Sequence, residues 1–209
     1  ENNGAENPTW TFAGDLNNGN NHRIFAFPAD LDNDGDMDFV ASNKNSDNKV
    51  IWYENDGASD PSWSPNLIES ISSATNDIFV QDMDKDGDMD ILVSTRETST
   101  TGKFYWYEND GAENPAWSKT TIDDGKNLTN IHPKDLDNDG DIDIVASWYD
   151  NKHELWYEND GAANPSWTLA DVSSSADNAY SVFAADMDND GDMDIVSASN
   201  SNNKISWHE

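Results

Sequence analysis

The stretch DLDNDGDMD at residues 30–38 decides how the chain is organised, because it returns three more times in nearly the same form. The other copies occupy residues 82–90, 135–143 and 186–194, and all four read D-x-D-x-D-G-D-x-D. Their first aspartates are 51 to 53 residues apart. A period of this length is typical of propellers, solenoids and arrays, so the sequence predicts a chain built from four equivalent units.

Each copy crowds five carboxylates into nine residues. Without a cation these charges would repel one another, and a hard cation that prefers oxygen ligands is the natural partner. Calcium takes about six to eight oxygens with tolerant geometry, and glycine at position 6 allows the backbone to turn around an ion. We expect positions 1, 3, 5 and 9 to offer carboxylate oxygens and position 7 its main-chain carbonyl. The residues predicted to hold four calcium ions are Asp30, Asp32, Asp34, Asp36, Asp38, Asp82, Asp84, Asp86, Asp88, Asp90, Asp135, Asp137, Asp139, Asp141, Asp143, Asp186, Asp188, Asp190, Asp192 and Asp194.

An EF-hand loop begins with similar spacing but needs a bidentate glutamate at position 12 and a helix on either side. The flanks here are short β-type runs instead, such as IFV at 78–80 and ILV at 91–93. The loop is therefore predicted to join two strands. A solvated acidic turn is the alternative interpretation, which four matching copies disfavour. The residues at position 12 lack the required carboxylate and are Ala41, Val93, Ala146 and Ser197.

A second motif, WYENDGA at 52–58, runs in step with the acidic loops and recurs from residues 106 and 156. Another tryptophan follows 11 residues after the first in each copy. Asn-Asp-Gly is strong turn chemistry, and helical periodicity is absent, so each unit is predicted to hold four short strands, A to D. Strand A is predicted at 24–28, 78–81 and 181–185, and strand B at 39–42, 91–94, 144–147 and 195–198. Strand C is predicted at 50–53, 104–107, 155–157 and 205–207, and strand D at 63–68, 117–122 and 167–172.

The two ends of the chain cut this second motif in half. Residues 1–12 match its second half followed by a strand D, and residues 207–209 match its first half. We therefore expect a single domain over 1–209, with repeats at approximately 15–68, 69–122, 123–172, and 173–209 plus 1–14. Residues 9–13 would form the outer strand of the last unit, which would leave no sheet with a missing strand. A closed four-unit ring, a dimer with eight units and a slice of a longer array all satisfy this pairing.

These motifs resemble those of the FG-GAP/VCBS family of calcium-binding β-propeller repeats, also found in integrin α-subunit heads and some fungal lectins. The resemblance covers essentially the whole chain. It implies a propeller of four-stranded blades and metal-binding roles for Asp30, Asp32, Asp34, Asp36 and Asp38 and for the matching positions of the other loops. This chain departs from the family in its repeat count, since such propellers usually have about seven blades and four repeats are present here.

The composition limits the partners and the compartment. The net charge is −31, and 20 of the 42 acidic residues lie in the four loops. Nucleic acid and anionic membrane surfaces are therefore poor partners. Cysteine is absent and no apolar run is long enough to span a membrane. The sequence opens at Glu1, as expected of a processed or excised piece. Low-affinity calcium modules need the millimolar calcium outside cells, so we expect a secreted or cell-surface protein.

The aromatic residues suggest packing first and ligand contact second. The repeated tryptophans are expected to pack between neighbouring units, because a repeated residue usually has a repeated structural role. Trp148 and Tyr149 break the repeat in a B–C hairpin, where ligand contact and local packing are both open interpretations. His132 stands where the other units have phenylalanine, and we expect a packed inner-strand histidine there.

No catalytic constellation emerges from the sequence. There is no serine-centred nucleophile motif, and the four histidines lack metal-binding spacing. We therefore expect no enzyme but a calcium-stabilised recognition module that presents loops to a glycan or an extracellular protein, as a monomer or a homodimer. A purely structural spacer in a larger secreted protein is an alternative, as is an accessory scaffold of a polysaccharide-active enzyme.

Overall fold

The computed structural model describes residues 23–43, 48–149, 153–174, 179–201 and 203–209. Within these ranges the chain forms fifteen β-strands and no helix, which confirms the predicted all-β fold. The strands make four antiparallel sheets, each with its strands in chain order. The first sheet holds β1 (Arg23–Ala29), β2 (Asp38–Asn43), β3 (Lys49–Asn55) and β4 (Trp63–Ser70), and the second holds β5 (Ala74–Gln81), β6 (Asp90–Arg96), β7 (Lys103–Asn109) and β8 (Trp117–Asp124). The third holds β9 (Leu128–Lys134), β10 (Asp143–Trp148), β11 (His153–Asn159) and β12 (Trp167–Ser173), and the fourth holds β13 (Ala179–Ala185), β14 (Asp194–Ser199) and β15 (Lys204–His208).

The same register recurs in every sheet. In the first sheet Val40 pairs with Phe27 on one side and with Trp52 on the other. Because side chains alternate between the two faces of a strand, a slip of one residue would turn every apolar side chain to the wrong face. The acidic loop joins the first two strands of each sheet, as predicted. The corresponding triplets in the other sheets are Phe79, Leu92 and Trp106; His132, Val145 and Trp156; and Phe183, Val196 and Trp207.

The hydrophobic core lies between successive sheets. Trp52 of the first sheet is buried in a cluster with Ile91 and Tyr107 of the second. Trp106 of the second sheet is buried in the next cluster, with Ile144 and other residues of the third. The interpretation of these two repeated tryptophans as packing residues is thus confirmed. A smaller cluster joins the third and fourth sheets and holds Val145, Val182 and Ala184.

Side chains on the first strand of each sheet, here called the innermost strands, connect one sheet to the next. β1, β5, β9 and β13 lie next to one another in that order. Asp77 on β5 accepts hydrogen bonds from the main-chain N–H of Ile131 (3.0 Å) and from the amide of Asn130 (2.7 Å), both on β9. Asn130 in turn accepts one from the main-chain N–H of Val182 on β13 (2.9 Å). Buried polar groups on these strands are therefore satisfied by the neighbouring sheet.

The fourth sheet has three strands within the described residues. Its predicted outer strand, residues 9–13, lies outside the described part of the chain, so closure between the termini stays a prediction. The described residues include no helix that could cross a lipid bilayer.

Candidate metal centres

Two residues with left-handed backbone conformation shape each acidic loop. Position 6 is glycine with φ between 94° and 101°, as expected from the motif. Position 4 is also left-handed, with φ values of 59° at Asn33, 62° at Lys85, 61° at Asn138 and 64° at Asn189. Asparagine tolerates this conformation better than most residues, whereas lysine does not favour it. The sequence analysis missed position 4, although asparagine in three of four copies was the available signal.

Main-chain donors fold the carboxylates back over each loop. In the first loop the N–H of Gly35 donates to Asp30 Oδ2 (3.1 Å) and that of Asp34 to Asp32 Oδ1 (3.3 Å). The N–H of Asp36 donates to Asp34 Oδ1 (2.9 Å). The corresponding bonds recur in the other three loops at 2.8–3.3 Å. The loop is therefore preorganised with several carboxylate oxygens gathered together.

Each loop brings three carboxylates close enough to share one cation. In every group the chosen oxygens lie within 4.8 Å of one another. Positions 1 and 3 contribute in all four loops, joined by position 9 in the first and fourth and by position 5 in the second and third. The groups are Asp30, Asp32 and Asp38; Asp82, Asp84 and Asp86; Asp135, Asp137 and Asp139; and Asp186, Asp188 and Asp194.

Position 9 is buried and connects the loop to the third strand of its sheet. Asp38 accepts hydrogen bonds from the main-chain N–H of Asn55 (2.8 Å), the main-chain N–H of Leu31 (3.3 Å) and the indole of Trp52 (2.9 Å). The main-chain bonds recur at Asp90 and Asp143. The asparagine of the WYENDGA motif, which the sequence analysis assigned only to a turn, thus also positions a predicted ligand.

Burial makes the ionised form of several of these carboxyls costly. It raises the pKa of Asp90 to about 7, although main-chain hydrogen bonds from Asn109 and Met83 lower it. Burial likewise raises the pKa of Asp143 to about 6. The pKa of Asp32 rises to about 6, chiefly through burial and then through the charge of Asp38. A cation in the loop would lower the pKa of these carboxyls again, because it stabilises their ionised form.

A buried oxygen without a donor tests whether a cation fits these loops. The Oδ1 atoms of Asp30, Asp82 and Asp135 are buried and accept no hydrogen bond within the described structure. The Oδ2 atom of each of these residues accepts the bond from the loop glycine. A buried oxygen that lacks a donor is costly unless a cation satisfies it. An all-oxygen set of this kind suits calcium or magnesium and does not suit zinc, so the residues fit the predicted ion.

Position 7 behaves differently from the other aspartates. Its side chains contact the preceding loop: Asp88 accepts a bond from Asn33, Asp141 pairs with Lys85, and Asp192 accepts a bond from Asn138. None of the carboxylate groups formed by the described loops includes a position-7 aspartate. Its predicted metal ligand was the main-chain carbonyl, so these side-chain contacts do not conflict with the predicted role.

An aromatic cavity lies along the innermost strands. The rings of Phe27, Phe79, His132 and Phe183 form a row with centroids 4.2–5.8 Å apart. All four line a cavity of about 400 Å³, together with Asp77 and other residues of β1, β5, β9 and β13. Burial lowers the pKa of His132, which favours its neutral ring. His132 is therefore a packed inner-strand residue, as expected.

The hairpin aromatics take local packing roles. Trp148 is half-buried against the core between the second and third sheets, and its ring lies 5.7 Å from that of His153. The ring of Tyr149 meets that of Tyr180 edge to face at 6.4 Å. These contacts favour packing over ligand binding for Trp148.

A family model described as FG-GAP-like repeat matches the chain three times, over residues 30–93, 82–146 and 135–197. Together these matches cover most of the sequence, so the protein belongs to the FG-GAP-like repeat family. Each match starts at the first aspartate of one acidic loop and extends past the next loop. No curated protein is detectably similar to the chain.

Proposed function

We propose that the protein is a non-catalytic recognition module whose fold is stabilised by calcium. The observation that carries this proposal is the buried, unpartnered Oδ1 atom at position 1 in three loops. Each is an acceptor aimed away from protein donors and surrounded by further carboxylates. A calcium ion in each loop would satisfy the oxygen and neutralise the neighbours. The native chain alone would offer this geometry, so binding stabilises it by about 2.7 kcal/mol per site at a hundredfold excess over Kd.

We also infer that the four sheets are blades of a propeller closed by residues 1–14. The fourth sheet supports this inference, because Ile205 and Trp207 are exposed on it. Their equivalents Val50 and Trp52 are buried against the following sheet. A fourth strand and a following sheet would cover this face and the free edge of β15.

The aromatic cavity favours recognition over a purely structural spacer, since a spacer needs no concave aromatic surface. Phe183 lines it and is more than half exposed, as is Tyr180 on the same strand. Apolar pockets with a few polar groups are typical ligand sites, and Asp77, Asn130 and Ser181 provide such groups here. Aromatic faces of this kind suit the apolar face of a sugar ring or an apolar side chain of a protein. We place the module outside the cell, where calcium is abundant.

The recognition proposal can be tested on arrays of glycans and of extracellular proteins, probed in calcium. We expect a ligand that binds the wild type and loses most of its binding to Phe183→Ala. The matched control is Leu169→Ala, which removes an exposed apolar side chain from the outer strand β12. Binding that falls equally in both variants, or an array without any calcium-dependent ligand, would favour the spacer.

A further inference from the structure

The acidic loops of successive sheets touch one another through two non-equivalent positions. Position 4 of one loop contacts position 7 of the next in three consecutive pairs. Asn33 Nδ2 donates to Asp88 Oδ1 (2.5 Å), and Asn138 Nδ2 donates to Asp192 Oδ1 (3.2 Å). Between them, Lys85 forms an ion pair with Asp141. Because the same two positions meet three times, these contacts are a regular feature of the repeat and not isolated surface contacts.

The glycine of the WYENDGA turn leaves space for the carboxylate at position 7 of the same sheet's acidic loop. A methyl group added to Gly57, in the WYENDGA turn of the same sheet, would lie only 2.1 Å from Asp36 Oδ2. The same clash arises between Gly111 and Asp88, at 2.1 Å. A corresponding clash at Gly161 involves Asp141, at 2.0 Å. Glycine at this turn therefore leaves room for the carboxylate, and at Asp88 and Asp141 the same carboxylate also contacts the preceding loop.

A second contact runs in parallel. Asn109 donates its main-chain N–H to Asp90 at position 9 of its own loop, and its side-chain amide to the carbonyl of Leu31 in the preceding loop (2.8 Å). Asn159 links Asp143 to the carbonyl of Met83 in the same way (3.2 Å). Each of these loops is thus tied to its predecessor through a residue that also positions one of its predicted ligands.

We propose that these contacts couple the metal loops in series, so that an ion in one loop raises the affinity of the neighbouring loop. This inference rests on the proposed calcium binding. Position 4 lies between two predicted ligands, at positions 3 and 5, in the left-handed conformation that turns the chain around the ion. Position 7 offers its main-chain carbonyl to its own ion, so occupancy there fixes the carboxylate that holds position 4 of the preceding loop. Ordering one loop therefore lowers the entropic cost of ordering the other.

Thermodynamic linkage makes the coupling free energy reciprocal, so loss of an ion from either loop should weaken binding in its neighbour. The four loop glycines report occupancy separately, because each donates its N–H to the position-1 aspartate of its own loop. Calcium titrations followed by NMR at these amides give one half-saturation point per loop. Asp82→Asn removes one negative charge from the loop and leaves a single side-chain oxygen, which can accept the bond from Gly87 or face the ion but cannot do both. Asp30→Asn does the same in the first loop.

We expect Asp82→Asn to raise the half-saturation point read at Gly35 by about fivefold or more, in the range typical of coupled sites. Asp30→Asn should likewise raise the point read at Gly87, and the larger of the two shifts is expected at the loop that binds calcium more weakly. Asn33→Gly removes the side chain of position 4 but keeps a residue that tolerates the left-handed conformation. In that background the factor should shrink. The matched control is Asn203→Gly, which makes the same change at a left-handed residue (φ 54°) of the hairpin before β15 and should leave the factor unchanged.

The outcomes separate this inference from the proposed function. Glycine amides that respond to calcium but show the same half-saturation points in the wild type and in both aspartate variants would overturn the coupling alone. Wild-type amides that ignore calcium would overturn the proposed function and, with it, this inference.

Discussion

The second and fourth sheets place equivalent side chains in opposite environments. Trp106 is fully buried in the second sheet, whereas Trp207 at the matching position of the fourth is 55% exposed. Phe104 is also fully buried, and its counterpart Ile205 is 81% exposed. The side chains and their register are alike, so the difference comes from the neighbour: a third sheet covers the second, and no described residue covers the fourth in the same way.

Whether this face of a sheet is buried thus depends on the presence of a following sheet and not on the sheet itself. Each sheet can bury this face only against the sheet that follows it. The acidic loop of the fourth sheet shows the same contrast, because Met187 is exposed whereas its equivalent Met83 is buried. The exposed apolar face of the fourth sheet therefore has the side chains needed to pack against a following sheet, which a closed ring would supply.

Removing calcium should produce the largest effect, because all four sheets share the acidic loop. Four sites at about 2.7 kcal/mol each, for a hundredfold excess over Kd, would together approach the whole stability of an ordinary domain. We expect chelation to lower the melting temperature by many degrees. It should destabilise the covered sheets and the uncovered fourth sheet alike. Thermal melts with and without excess chelator measure this. Superimposed curves would contradict structural calcium.

Alanine at the two tryptophans sharpens the comparison. Trp106→Ala should cost about 3–5 kcal/mol of unfolding free energy, as is usual for a buried tryptophan. If residues 1–14 close the ring, Trp207→Ala should cost a similar amount in the intact chain. In a variant that lacks residues 1–14 the cost at Trp207 should fall below about 1 kcal/mol. Denaturant unfolding of the wild type, the truncated protein and the three alanine variants provides these values.

A small cost for Trp207→Ala in the intact chain would contradict closure by the termini. Solution mass separates the two closed forms, since a ring within one chain gives a 23.2 kDa species and an exchange between two chains gives twice that mass. A truncated protein that stayed monomeric and equally stable would also be inconsistent with closure.

Asp77 and its fourth-sheet equivalent Ser181 provide the smallest contrast. Burial raises the pKa of Asp77 above its ordinary value of 3.8, despite hydrogen bonds from Ile131 and Asn130. The charged form is therefore favoured more in the unfolded chain, so this residue reduces stability as the pH rises above 3.8 towards the raised pKa. Asp77→Asn should be more stable than the wild type at pH 7, and the difference should disappear below pH 3.8. Denaturant unfolding at both pH values measures the difference. A less stable variant at pH 7 would contradict this sign, and Ser181→Asn should show no such pH dependence.

Most of the fold was predictable from the sequence because the sequence is repetitive. The spacing of the acidic loops and tryptophans predicted the sheets and the loop between their first two strands, because a repeated apolar pattern has a repeated register. Contacts between neighbouring units were not predictable from one unit. The left-handed conformation of Lys85, the contact between Asn33 and Asp88, and the double role of Asn109 depend on how adjacent sheets are placed. The row of rings from Phe27 to Phe183 likewise exists only once the four innermost strands lie side by side.

The most direct test of the central claim counts the calcium ions bound by the folded protein. Asp86 lies at position 5 of the second loop, belongs to its group of three close carboxylates and is exposed, so Asp86→Ala removes one predicted ligand with little effect on the core. Metal analysis after equilibration in calcium should find four ions per chain in the wild type and three in Asp86→Ala, with both proteins folded by circular dichroism. Four ions in the folded variant, or none in the wild type, would contradict the assignment of the acidic loops as calcium sites.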